Sequence, residues 1–237
     1  QILYDRDPAT RVQKVAPYLQ LDSDPYPSVV DGRIVWIIDG YTRSANYPYS
    51  STVSLQEAIS DSNTTQQRFG LDNINYIRNS IKVVIDAYNG TTRFYLVDPG
   101  DPIAQTYGRI FPGLLRPLDE MPASLRQRLR YPQDIFALQA SMFATYHMQG
   151  PAVFYNKEDL WSIPGKQVAG GQQSMDPYYT IMKLTDEEKE EFILLSPFTP
   201  SMKDNMSAWM AARCDAPHYG KVIVYKFPKQ KLVYGPR

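Results

Sequence analysis

The chain has 237 residues, 43% of them hydrophobic, and its 25 basic residues balance 25 acidic ones. Enough apolar material is present for a sizeable core, and a neutral chain carries no long-range field to draw it onto nucleic acid or anionic lipid, so nucleic-acid binding is disfavoured. The longest unbroken apolar run, Ile34 to Ile38, falls far short of the roughly 18 residues a transmembrane helix needs, and no signal peptide opens the sequence. The sequence therefore reads as one soluble region over 1–237. Its start at Gln1 and its stop just after an apolar run suggest a piece of a longer protein.

In chain order, Asp7-Pro8 opens a short helix with Val12 and Val15 on one face, and Ala16-Pro17 ends it, because the residue before proline avoids the α region. Val29-Val30 and Arg33-Ile34 flank Asp31-Gly32, which predicts a hairpin. Its return strand IVWIID is apolar on both faces and so central, with Trp36 in the core. Residues 47–73 are rich in Ser, Thr, Gln and Asn and read as an exposed loop with a helix-like patch at Leu55 to Ile59.

A second hairpin runs from Ile77 to Asp98 around Asn89-Gly90. A two-residue type I′ turn there sets Asp86 opposite Arg93, Ile85 opposite Phe94 and Val83 opposite Leu96. Ile81, Val83, Ile85, Phe94 and Leu96 then form its buried face.

A helix from Ile103 to Ile110 follows. A short helix begins at Pro122, with Leu125 and Leu129 on one face, and a longer one runs from Pro132 to about Met148. Apolar residues cover most of the circumference of the longer helix and predict that it is buried. Val153 to Leu160 forms another short helix, and Pro164 to Ser174 reads as a flexible loop. Tyr178 to Leu184 and Phe192 to Leu195 make a third hairpin across an acidic turn. Thr199 is placed as the N-cap of a helix from Pro200 through Arg213, lined by Met202, Met206, Trp209 and Met210. Lys221 to Phe227 and Leu232 to Tyr234 supply two last strands. Hairpins separated by helices predict an α+β fold around a mainly antiparallel sheet.

Residues with chemical potential each have a plainer reading. Cys214, the only cysteine, forms no intrachain disulfide. With Asp215 and His218 close by it has the ingredients of a thiol enzyme, but a small buried residue fits the position equally. His147, in the last turn of the long helix, has no HExxH or CxxC partners, and a helix C-terminus suits it. Asp22 and Asp24, and Asp98 and Asp101, are close enough in pairs for Ca²⁺ or acid–base work, yet the adjacent prolines mark turns in which Asp bonds the backbone. Eighteen tyrosines, among them Tyr26, Tyr41, Tyr47, Tyr49, Tyr107, Tyr178 and Tyr179, either pack half-buried or form an aromatic platform for glycan or peptide. No phosphate loop, nucleophile elbow or dinucleotide fingerprint is present. No catalytic, cofactor-binding or metal residue is assigned.

Long phrases in order, GRIVWIIDGYT, YIRNSIKVVIDAYNG, FPGLLRPLDEMP, LRYPQDIFALQASMFATYH and FTPSMKDNMSAWMAARCD, resemble the bacterial family of unknown function called UPF0182. The resemblance implies several N-terminal transmembrane helices followed by a large soluble region. This chain would be part of that region, on the outer face of the membrane, and the family supplies no catalytic residues to carry over. The expected function is a non-catalytic extracytoplasmic domain that binds a protein or envelope component. The alternative is an envelope hydrolase of glycan or peptide using Asp39, Asp86 and Asp98, brought together from distant positions.

Overall fold

The computed structural model of the chain describes residues 4–54, 73–168, 171–185, 187–201, 203, 205–228, 230 and 232–235. These pack as two compact units, one formed by residues up to Pro132 and the other by residues from Gln133 on. Each unit is a mainly antiparallel sheet with helices, so the fold class is α+β. The patch at 55–59 lies outside the described residues.

In the first unit, α1 (Pro8–Val15) starts where the Asp7 carboxylate accepts the Thr10 N–H at 2.7 Å, and it stops at Ala16. Ala9 and Val12 are buried, but Val15 is 49% exposed and Ala16 takes the contact expected of it. β1 (Gln20–Leu21) and β2 (Tyr26–Val30) both pair with one side of the long strand β3 (Arg33–Ser44). A minor pair, β4 (Val53–Ser54) with β5 (Asn73–Ile74), precedes β6 (Tyr76–Asp86). β6 pairs with the other side of β3 and with β7 (Thr92–Leu96). Then α2 (Pro102–Ile110) carries the chain to β8 (Leu115–Pro117), which lies parallel to β7.

The two hairpins obey different turn chemistry. At Asp31-Gly32 both residues take positive φ (49° and 73°) and Val30 faces Arg33, which is the expected two-residue type I′ turn. The turn at Asn89-Gly90 is not of this kind, because only Gly90 has positive φ. The Asp86 carboxylate accepts the N–H groups of Tyr88 (2.8 Å) and Asn89 (3.2 Å), and the Gly90 N–H returns to Asp86 O at 2.8 Å. This side-chain capping stabilises a longer loop, and the register slips by two residues: Val83 faces Phe94, Val84 faces Arg93 and Ile81 faces Leu96. Asp86 consequently pairs with Arg33 of the neighbouring strand rather than with Arg93. An even slip preserves the faces, so Ile81, Val83, Ile85 and Phe94 are buried as expected, whereas Leu96 at the end of β7 is only half-buried.

That face packs with Ile38, Leu19, Leu21 and the α1 residues, and Trp36 lies half-buried against them. The opposite face carries Tyr26, Ile37, Val84 and Tyr95, also buried, so β3 and β6 are covered on both sides. α3 (Ala123–Arg126) follows; it ends before Leu129, so Leu125 and Leu129 do not share a helix face, although both are buried.

The second unit begins with α4 (Gln133–Tyr146), whose Ile135, Phe136, Leu138, Ala140 and Ala144 are buried. Its Met142 and Tyr146, one turn apart, face solvent, so the helix is buried on one side only. α5 (Pro151–Asn156) and β9 (Trp161–Ser162) follow. Residues 164–174 are not a loop throughout: β10 (Gly165–Val168) pairs with β11 (Gly171–Ser174) as a ribbon. The main sheet runs β12 (Tyr178–Lys183), β13 (Glu190–Pro200), β14 (Ala208–Arg213), β15 (Val222–Lys226), with β9 against the end of β13.

The helix expected from Pro200 through Arg213 is replaced by the end of β13 and by β14. Ala, Met and Arg favour a helix in isolation, but β14 lies between β13 and β15, where tertiary pairing overrides local preference. Ala208, Ala211 and Ala212 have no exposed surface, so small side chains suit this central position. Met202 lies outside the described residues. The last expected strand is reduced to a single bridge between Asn205 and Tyr234, with Leu232 exposed.

Candidate functional site

The polar side chains of the first unit gather along β3 and β6. The strands lose register between Gly40 and Tyr41: Gly40 faces Ile81, whereas Tyr41 faces Asn79, leaving Ser80 as an extra residue on β6. Such a bulge re-aims a side chain. Ser80 Oγ donates to Asp101 at 2.5 Å and Thr42 Oγ1 donates to the same oxygen. The other carboxylate oxygen accepts the Ile103 N–H at 3.0 Å, which caps α2, and the Tyr76 hydroxyl at 2.7 Å. Asp101 itself has no exposed surface.

Burial works against the charge on Asp101, but the bonds from Ser80, Thr42, Tyr76 and the Ile103 N–H outweigh it and hold its carboxyl below the usual range. The same burial, with Asp101 as bonded and charged neighbour, pushes the Tyr76 phenol up to about 12. At neutral pH, therefore, a carboxylate accepts and a protonated phenol donates.

Tyr76 connects this buried hub to an exposed surface. Its ring stacks on that of Tyr47, with centroids 5.9 Å apart and planes 18° apart. The Arg78 guanidinium lies 5.7 Å from the Tyr76 centroid and is paired with Asp98 at 2.9 Å. Asn75 clips the neighbouring loop at three points: its Oδ1 accepts the Tyr47 N–H at 2.9 Å, and its Nδ2 donates to Tyr47 O and Ser50 O at 2.8 and 3.0 Å. Tyr47 is 55% exposed, and the Tyr49 ring stands wholly in solvent on a left-handed backbone with φ of 58°. A tyrosine rarely adopts that conformation.

A second polar group sits on the opposite face. Lys82, with no exposed surface, donates to Asp39 and to Arg130 O at 3.1 Å, and Asn79 Nδ2 donates to Asp39 at 2.8 Å. The Tyr41 hydroxyl donates to Asp22, whose other oxygen accepts the Asp24 N–H at 2.9 Å. These groups bond one another from within the fold and tie β1, β3, β6 and the segment at Arg130 together.

The candidate residues fall into place on this frame. Asp22 and Asp98 accept N–H groups two residues on, as turn carboxylates do, and Asp101 adds the hub described above. Asp39, Asp86 and Asp98 are each bound to a different cation, Lys82, Arg33 and Arg78. Among the tyrosines singled out, Tyr26 and Tyr41 are core residues, Tyr107 stacks on Tyr18 at 3.6 Å, and Tyr47, Tyr49 and Tyr178 are exposed.

In the second unit Cys214 is 5% exposed, and its N–H donates to Phe192 O at 3.0 Å. Asp215 accepts the Phe192 N–H at 2.8 Å rather than orienting a histidine. His147 is buried at the end of α4, with Nδ1 3.0 Å from Phe143 O and its ring stacked on Trp161 at 3.7 Å. Among the described residues no group of three His, Cys, Asp or Glu is placed to hold a metal ion. No helix among them is long and apolar enough to cross a membrane.

Sequence reasoning missed the Lys82–Asp39 pair and the hub at Asp101. Two signals were available: Lys82 set among the apolar residues of IKVVI together with Asp39 closing the apolar run IVWIID, and an Asp-Pro step opening a helix.

Comparison with known proteins gives the chain its relatives. The profile of the uncharacterised protein family UPF0182 matches residues 1–237. A UPF0182 protein of Moorella thermoacetica is 52% identical over 236 residues, and one of Methanospirillum hungatei is 52% identical over 226. The UPF0182 protein bll7333 of Bradyrhizobium diazoefficiens is 49% identical over 236 residues. These alignments cover 100%, 95% and 100% of this chain but only 24% of each relative. The chain thus spans about a quarter of the length of these relatives. No solved structure matches it.

Proposed function

This chain belongs to the UPF0182 family, and we propose that it is a non-catalytic binding region which docks a protein or cell-envelope component through the Tyr47–Tyr76 surface. The observation that carries the reading is preorganisation. Tyr76 is anchored from beneath by Asp101 and the Tyr47–Ser50 loop is clipped by Asn75, so large aromatic faces are presented with little left to order on binding. The carboxylates considered for hydrolysis support the same reading, since each is already engaged by its own cation.

In the full protein this region is held by membrane-spanning segments that lie outside the given sequence, and it faces the exterior. The resemblance to UPF0182 supports that placement, and the chain's coverage of a quarter of its relatives leaves room for such segments.

Two experiments test the proposal. Cells expressing the full-length protein are fractionated, and intact spheroplasts are treated with protease. Recovery in the membrane fraction with cleavage within 1–237 is expected, and a cytosolic or protease-protected domain would contradict the placement. Purified full-length protein is then incubated with isolated envelope material. Bound material recovered intact is expected, whereas release of reducing ends or new amino termini would favour the hydrolase.

A further inference from the structure

The exposed surface also carries information about the class of ligand, provided the binding reading above holds. Tyr47 and Tyr76 offer nearly parallel rings beside an ion pair, Arg78 with Asp98, that is neutral as a unit and partly exposed on both members. A guanidinium supplies only donors and a carboxylate only acceptors, so the pair complements groups that do both, as vicinal hydroxyls do. The face of the exposed Tyr47 ring turned away from Tyr76 complements the C–H face of a pyranose. A charged polymer would have to break the pair to use one member, and a proline-rich strand would use the rings but leave the pair idle. Tyr49, two residues along the chain from Tyr47, is held out in solvent on a backbone conformation that only a glycine adopts freely.

We infer that the Tyr47–Tyr49–Tyr76 surface binds a neutral glycan, with Arg78 and Asp98 hydrogen-bonding its hydroxyls. The full-length protein is tested on an array of neutral oligosaccharides. The best binder is then titrated calorimetrically beside polygalacturonate and decaproline, using wild type, Tyr47→Ala, Tyr49→Gly and Arg78→Met. A neutral oligosaccharide should bind, and each substitution should weaken it about tenfold or more. Tyr49→Gly should do so with an unlowered melting temperature, which a merely structural role for that ring would not give.

Absence of neutral-glycan binding, or binding indifferent to all three substitutions, overturns the inference. Decaproline or polygalacturonate binding that is lost in Tyr47→Ala would overturn the glycan but leave the binding reading standing. No ligand of any class sensitive to Tyr47→Ala would remove both.

Discussion

The hydroxyl of Tyr76 donates to Asp101 at 2.7 Å, and through that bond a partly exposed ring is fixed to a carboxylate that has no exposed surface. Asp101 also caps α2 and secures the Ser80 bulge, so the surface and the fold share one support. Asp101→Asn should destabilise the first unit by about 2–4 kcal/mol, because an acceptor of four bonds is replaced by an amide that must donate at one oxygen's position. Urea unfolding followed by tyrosine fluorescence measures this, and a loss under 0.5 kcal/mol would be inconsistent with the hub.

Asp101 also sets a pH dependence. Its folded-state carboxyl is held below the ordinary value near 4, so its stabilisation is fully present above that value and is lost as pH falls through the lower folded one. Asp86, whose burial is outweighed by bonds from Tyr88, Arg33 and Asn89, acts in the same direction. Wild type should lose stability on acidification below about pH 4, and Asp101→Asn should show a shallower loss over the same window.

The buried Lys82–Asp39 pair should respond asymmetrically. Lys82→Met alone leaves an uncompensated carboxylate in the sheet and should cost about 3–5 kcal/mol. Lys82→Met with Asp39→Leu should recover much of that loss, and a double-mutant cycle in chemical denaturation reads the coupling. Strict additivity of the two single substitutions would contradict the pairing.

The two hairpins predict different costs for the same substitution. Gly32→Ala meets only the positive φ, because no atom lies within 4 Å of the added carbon, and should cost about 1 kcal/mol. Gly90→Ala meets the same φ and also Arg11, 2.7 Å away, whose bond to Gly90 O it displaces, so it should cost more. Thermal unfolding of the two variants gives the order, and equal costs would argue against the Arg11 contact.

Cys214 is buried just past the end of β14, its N–H held by Phe192 O, so the native protein should react slowly with a thiol reagent at neutral pH and Cys214→Ser should leave binding unchanged. Rapid, selective alkylation would mark a functional thiolate instead.

How far the fold was legible depended on whether a signal was local. Asp7, Asp101 and the prolines set helix starts within a few residues, and Asp31-Gly32 dictated its own turn. Asn89-Gly90 misled because a third residue, Asp86, lies just outside the dipeptide and captures two N–H groups. Ala208 to Arg213 misled because its strand state is imposed by two neighbours in the sheet, which no local window contains. The exposed surface was legible only as composition. Tyrosine abundance was visible, but the choice of Tyr47, Tyr49 and Tyr76 over the buried Tyr26 and Tyr41 came from the bulge at Ser80 and the clip at Asn75.

The most direct test of the account is hydrogen–deuterium exchange on the full-length protein with and without isolated cell-envelope material. Protection should appear at residues 47–50 and 76–78, with the buried strand at 81–85 unchanged. Protection confined to other surfaces, or none at saturating envelope material, would contradict the assignment of this surface as the site of contact.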